Sequence, residues 1–138
     1  MTIIGFNFNN INVERKEGVT GKVNIKNNVA VKDVIDHPMD LGGGDQKAVK
    51  FLFEFVSSYE PGLGTIKLGG DLVYIETKAN VKSLVDEWKK AKKVKKEVMA
   101  NILNTVLTKC NIEALILSQK VNLPPPIPLP TVKQEEAK

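Results

Sequence analysis

Residues 96–120 read KEVMANILNTVLTKCNIEALILSQK, and residues 121–132 follow as VNLPPPIPLPTV. In the first segment apolar side chains fall at Val98, Met99, Ile102, Leu103, Val106, Leu107, Cys110, Ala114, Leu115 and Leu117. Steps of three and four residues place them on one broad face of a helix. The pattern slips near Asn111, a place for a bend. A helix with such a face depends on packing against another surface for most of its stability. The second segment carries Pro124, Pro125, Pro126, Pro128 and Pro130. Each proline lacks an N–H and fixes φ, so this segment is neither helix nor central strand. It reads as an extended, polyproline-II strap running back over another part of the domain.

The surface for the helix is predicted upstream as a sheet. Residues 3–15 alternate, with Phe6 and Phe8 in one phase and Ile11 and Val13 in the other, so a bulge or bend is expected near Asn9-Asn10. Glu17-Gly18 marks a turn. Residues 20–32 form a second strand, with Val23, Ile25, Val29 and Val31 on one face and Lys22, Asn24 and Lys26 on the other. Residues 33–46 contain His37-Pro38 and Leu41-Gly42-Gly43-Gly44-Asp45 and read as a long connection. Residues 47–59 carry the strongest strand. Val49, Phe51, Phe53 and Phe55 line one face, and Lys50, Leu52, Glu54 and Val56 line a mixed opposite face. Glu60-Pro61-Gly62 is a turn signal. A fourth strand runs from Leu63 to Ile75, with a bend at Gly69-Gly70, and either Leu72 and Tyr74 or Val73 and Ile75 supply its inward face.

After Thr77 the period changes to that of a helix. Val81, Leu84, Val85 and Trp88 define a short amphipathic helix over 80–92, with Asn80 as its N-cap. Strands followed by helices indicate an α+β class. The expected architecture is a four-stranded antiparallel sheet packed against C-terminal helices. Residues 1–132 form one domain, and 133–138 form a frayed tail without a large apolar residue.

Composition bounds the function. The chain has 138 residues, 42% of them hydrophobic, 26% charged, and a formal net charge of +4. These values describe an ordinary globular domain with a mild basic balance. The opening Met1–Phe6 lacks the charged region and long apolar core of a signal peptide, and no run approaches the ~20 apolar residues that span a bilayer. A cytoplasmic protein without membrane insertion is expected. The single Cys110 lies on the apolar helix face and reads as a buried thiol.

Few residues carry chemistry. His37 is the one histidine, flanked by Asp36 and Asp40, and zinc ordinarily takes several His or Cys ligands. The glycines of 42–44 do not make a phosphate-cradling loop, because Gln46 precedes Lys47, no Ser or Thr follows it, and a strand comes next. The carboxylates are scattered and mark no acid–base pair. No enzyme, metal or cofactor is expected. The main charge feature is Lys89, Lys90, Lys92, Lys93, Lys95 and Lys96, a candidate patch for an anionic partner, with Trp88 just before it. Phosphate contacts beside an aromatic platform would serve nucleic acid. Trp88, however, sits on the apolar face of its helix, which favours packing.

Several segments resemble the SecB family of preprotein-export chaperones. Phe6-Asn7-Phe8-Asn9-Asn10-Ile11-Asn12-Val13-Glu14 is similar to the SecB first strand, and Val23-Asn24-Ile25 to its second. Phe51-Leu52-Phe53-Glu54-Phe55 and Gly64–Ile75 are similar to its third and fourth. The best match is the long helix giving way to Val121-Asn122-Leu123-Pro124-Pro125-Pro126-Ile127. The resemblance covers about residues 3–130. It implies a four-stranded antiparallel sheet backed by helices, tetrameric assembly, and apolar grooves that hold unfolded chains. SecB is acidic and docks the SecA motor through its acidic surface. This chain is basic and its lysine cluster has no SecB counterpart, so a SecA partnership is not carried over. The function expected first is a non-enzymatic oligomeric holdase, dimer or tetramer, that binds unfolded or partly folded polypeptide, with Leu52, Val56 and Trp88 as candidate contact residues. A small nucleic-acid-binding protein using Lys89–Lys96 and a self-association module are the alternatives.

Overall fold

The computed structural model describes residues 2–16, 22–37 and 44–130; the predicted tail at 133–138 and the turn at Glu17-Gly18 lie outside the described residues. Four strands precede two helices: β1 (Thr2–Arg15), β2 (Asn24–His37), β3 (Gln46–Glu60), β4 (Gly64–Thr77), α1 (Lys78–Ala91) and α2 (Lys96–Lys120). The strands form one antiparallel sheet in the order β1-β4-β3-β2. Consecutive strands β2, β3 and β4 pair as neighbours, while β1 pairs with β4, so β1 and β2 are the two edges.

Side-chain alternation sorts the sheet into two faces. Val49, Phe51, Phe53, Phe55 and Tyr59 of β3 point inward and are buried, as are Ile66, Leu68, Leu72 and Tyr74 of β4. The register places Phe51 against Leu72, Phe55 against Leu68 and Val49 against Tyr74. Leu72 and Tyr74, rather than Val73 and Ile75, therefore face the core. The helices close over this face. Val81, Leu84 and Trp88 come from α1, and Val98, Ile102, Val106, Cys110 and Ala114 from α2. Burial of each large side chain stabilises the fold by about 1.5–3 kcal/mol before chain entropy is charged against it.

The phase change in β1 appears as a register shift between Phe8 and Asn10. It turns Phe6 and Phe8, then Ile11 and Val13, toward the same inner side, opposite Leu72, Gly70, Leu68 and Ile66. A second such device corrects the expected connection at 33–46. A shift between Val31 and Asp33 resets the phase of β2, so the strand continues to His37 and Val34 enters the core opposite Phe51. The bend expected at Gly69-Gly70 is also absent, since β4 runs through both glycines. Gly70 lies between Phe8 and Phe53, and the Phe53 ring packs close to it. Phe6 stacks on Phe53 at 4.9 Å between centroids, and Phe8 meets Phe6 edge-on at 5.1 Å. A side chain at position 70 would strike the Asn7 carbonyl and the Phe53 ring.

The start of α1 differs from expectation by three residues. Thr77 is the N-cap, and its hydroxyl accepts the Asn80 N–H at 3.3 Å. Asn80 lies inside the first turn, because β4 passes into α1 with no loop between them. Helix α2 spans Lys96–Lys120 and passes Asn111 without a break. Its buried residues, Val98, Ile102, Val106, Cys110, Ala114 and Ser118, step by four. A four-residue step overshoots a 3.6-residue turn, so the buried line winds around the helix, which accounts for the slip in the sequence pattern. The helix ends in a Schellman motif. Asn122 takes the left-handed conformation at φ 57°, Leu123 N–H donates to Ser118 C=O at 2.8 Å, and Leu123 is buried.

Candidate functional site

The candidate contact residues do not form one surface. Leu52 and Val56 lie half-buried on the outer face of β3, away from the helices. Asp33 and Asp71 stand opposite Leu52, and Asn28 and Lys67 opposite Val56. Polar neighbours thus interrupt any apolar run through these two residues. Trp88 belongs to the other layer, where it is buried to 6% exposure in the core. Lys92 Nζ lies 5.6 Å from the centre of its ring. The indole is a packed residue, not an open platform.

The larger uncovered apolar surface is on the inner side. Among the described residues, α1 and α2 pack on β2, β3 and β4 and leave β1 largely outside their cover. Phe6, Phe8 and Val13 on the inner face of β1 are only half-buried, and Ile11 is 49% exposed. On α2, Met99, Leu103, Leu107 and Leu115 flank the buried line and are half-buried, while Ile112 and Ile116 are 55% and 45% exposed. The alternation in β1 pointed to an inward face. That the helices leave it largely uncovered was hidden, because strand order and helix placement are not written in local periodicity.

A second feature lies along the start of β2. The strap after Leu123 crosses this end of the sheet and is held by side chains. Tyr59 Oη donates to Pro124 C=O at 2.5 Å, and Asn27 Nδ2 donates to Pro126 C=O at 2.8 Å. Ser57 Oγ donates to Asn27 Oδ1 at 2.6 Å and so orients the amide. Alternate carbonyls of an extended segment are thereby captured, as a bound peptide would be. Burial pushes the Tyr59 phenol up to about 12, although its hydrogen bond with Ser57 acts in the opposite direction. Between the strap and β2 lies an open cleft of about 440 Å³, lined by Val23, Ile25, Asn27, Pro125, Pro126, Ile127 and Pro128.

The lysines of the cluster are exposed and occupy the end of α1, the link and the first residue of α2. Lys89 and Lys90 fall in the last turn of α1, where the helix dipole favours positive charge. Cys110 has no exposed surface, and burial pushes its thiol up to about 12, so it offers no thiolate near neutral pH. His37 ends β2 opposite Ala48, and its neighbour Asp36 is engaged by Lys47 at 2.6 Å. Asp40 and Gly42-Gly43 lie outside the described residues. Gly44-Asp45 leads into strand β3, not a helix. Among the described residues, no group of three His, Cys, Asp or Glu side chains could hold a metal ion, and no helix is long and apolar enough to cross a membrane.

A sheet of four antiparallel strands with two following helices has a solved counterpart. The chain matches the Mycobacterium tuberculosis SecB-like chaperone Rv1957, solved in complex with a ChAD peptide from the Rv1956 HigA1 antitoxin. The match covers 97% of this chain and 91% of that one, with a TM-score of 0.54 and 7% identity. The fold is SecB-like. No family model matches the sequence, and no curated protein matches it. At 7% identity the likeness is one of backbone arrangement.

Proposed function

We propose that this protein is a non-enzymatic holdase that associates with copies of itself, as dimer or tetramer, and binds exposed apolar segments of unfolded or partly folded polypeptide in the cytoplasm. The observation that carries the reading is the inner face of β1, which α1 and α2 leave largely uncovered among the described residues. Phe6, Phe8 and Val13 are half-buried there and Ile11 is exposed, while Ile112 and Ile116 form a separate exposed apolar pair on the side of α2 turned away from its buried line. Exposed apolar area of this kind is characteristic of surfaces that meet another polypeptide. β1 is also a 14-residue edge strand, and a long edge with an apolar face is a template for strand addition. The cleft beneath the strap gives a second place for an extended chain, beside side chains that already bind backbone carbonyls. Leu52 and Val56 extend the proposal to the outer face as minor contacts between charged neighbours. Trp88 contributes by holding α1 on the sheet.

The test is suppression of aggregation of a chemically denatured, uncharged-surface client at stoichiometric ratio, with light scattering on the protein alone. A species of two or four chains that keeps the client in solution is the expected result. Ile112→Glu with Ile116→Glu should weaken one or both properties while circular dichroism remains unchanged. A monomer without effect on the client overturns the reading.

A further inference from the structure

Between Lys78 and Lys96 the chain carries eight lysines against Asp86 and Glu87; elsewhere it has twelve basic residues against fourteen acidic ones. The basic character of the whole protein therefore resides in α1 and the link to α2. All eight lysines are exposed, and among the described residues none of them forms a salt bridge. Positive charge is thus concentrated along α1 and its link to α2, with Asp86 and Glu87 among it. Such a surface repels itself and attracts anionic groups.

The shape beside these lysines identifies the partner. A cleft of about 580 Å³ lies between α1 and the ends of β2 and β3. Lys78, Lys82 and Lys89 line it, with Val81 and Val85 between them. Its far wall holds the Asp36–Lys47 pair, and Asp86 also borders it. On the other side of α1 a shallower hollow of about 460 Å³ sets Ala91 and Val94 among Lys90, Lys93, Lys95 and Lys96, with Glu87 at its edge. Both hollows mix ammonium groups with aliphatic floor and a carboxylate at the border. A nucleic-acid strand carries charge on every phosphate, so it would press phosphates against Asp36, Asp86 and Glu87. It would also find no stacking surface, because Trp88 is buried and Lys92 lies by its ring. A polypeptide can place carboxylates at the lysines, aliphatic side chains at the valines and neutral residues at the acidic borders.

We propose that α1 and the α1–α2 link form a docking surface for an acidic polypeptide segment with interspersed aliphatic residues. This inference rests on the polypeptide-binding reading for the class of partner, and it names a subset of clients, those with acidic, aliphatic-bearing stretches. It places their binding at the opposite end of the sheet from the strap, since Asp36 and Lys47 border the cleft while Asn27 and Tyr59 hold the strap.

The experiment titrates three fluorescein-labelled probes by anisotropy: an unstructured peptide alternating Glu with Leu and Val, its Glu→Gln counterpart, and a single-stranded RNA homopolymer of equal charge. The acidic peptide should bind most tightly, and its affinity should fall about tenfold as the Debye length shrinks from low to physiological salt. Lys78→Gln, Lys82→Gln and Lys89→Gln together should weaken it about tenfold, the effect of losing three surface ion pairs of ordinary strength. A control with Lys67→Gln, Lys109→Gln and Lys120→Gln, which lowers net charge equally elsewhere, should bind as the parent does. Tighter binding of RNA than of the acidic peptide overturns the proposal, and so do equal losses in both triple variants. The uncharged client assay on the α1 variant separates the two readings. Its suppression should persist when acidic-peptide binding is lost. Loss of suppression in the parent counts against the holdase reading alone.

Discussion

Gly70 shows how a single missing side chain organises this sheet. Its position between Phe8 and Phe53 lets the Asn7 carbonyl and the Phe53 ring approach into the space a Cβ would fill. Gly69, one residue earlier, faces the other side, where an added Cβ would make only ordinary contact with Asn10 at 3.5 Å. Gly70→Ala is therefore expected to cost about 1–3 kcal/mol of stability through overpacking against the Asn7 carbonyl and Phe53. Gly69→Ala should change stability by no more than about 0.5 kcal/mol, as a surface substitution without such a clash does. Urea denaturation of the two variants measures the difference, and equal midpoints would show that Gly70 is not a packing glycine. From the sequence, the pair reads as a bend, because glycine signals backbone freedom and close approach alike. Asn122 is the opposite case. Its place between a helix and a proline run agrees with the left-handed cap it forms, while the choice of Thr77 over Asn80 at the start of α1 depended on where β4 ended.

The elements with the most legible patterns were β3 and α2. Alternation from Val49 to Phe55 and the three- and four-residue steps from Val98 to Leu117 survive in the structure nearly residue for residue, because each element buries one continuous face. The second half of β2 was less legible, since a bulge at Lys32 shifts the apolar phase and makes Asp33–His37 look like loop. For the strap, extended conformation followed from proline chemistry, but its attachment to Tyr59 and Asn27 came only with the fold. Tyr59→Phe removes one captured carbonyl contact and should cost about 1 kcal/mol at neutral pH. The pH dependence has a definite sign. The Tyr59 phenol is raised by burial from 10.0 to about 12, so the folded state favours its protonated form. That contribution is complete below pH 10 and is lost as pH rises from 10 toward 12. The parent should lose stability over this window more steeply than Tyr59→Phe, as read by thermal melts across the range; parallel curves would dissociate Tyr59 from the alkaline transition.

At the scale of the whole molecule, two helices and a strap close three strands of a four-stranded sheet. The strap's anchors join residues distant in sequence, Tyr59 to Pro124 and Asn27 to Pro126, so it ties the end of the chain to its first half. A chain ending at Lys120 loses buried Leu123 and Pro126 with both anchors. It should melt at a lower temperature by several degrees, since losing one buried leucine alone costs about 2–5 kcal/mol. Retention of the parent melting temperature and of its light-scattering mass would remove both stability and subunit contact from the strap's roles.

By itself, the sequence determined the class of each long element, the α+β order and the extended strap that follows α2. These depend on local spacing and on the backbone chemistry of proline, which neighbours in the chain suffice to express. The tertiary structure alone decided that β1 pairs with β4 and that, among the described residues, the helices leave the inner face of β1 largely uncovered. It also set the lysines of α1 around clefts formed with β2 and β3. Strand order and layer placement arise from how separate apolar faces pack against one another, a choice that no single stretch of the chain contains.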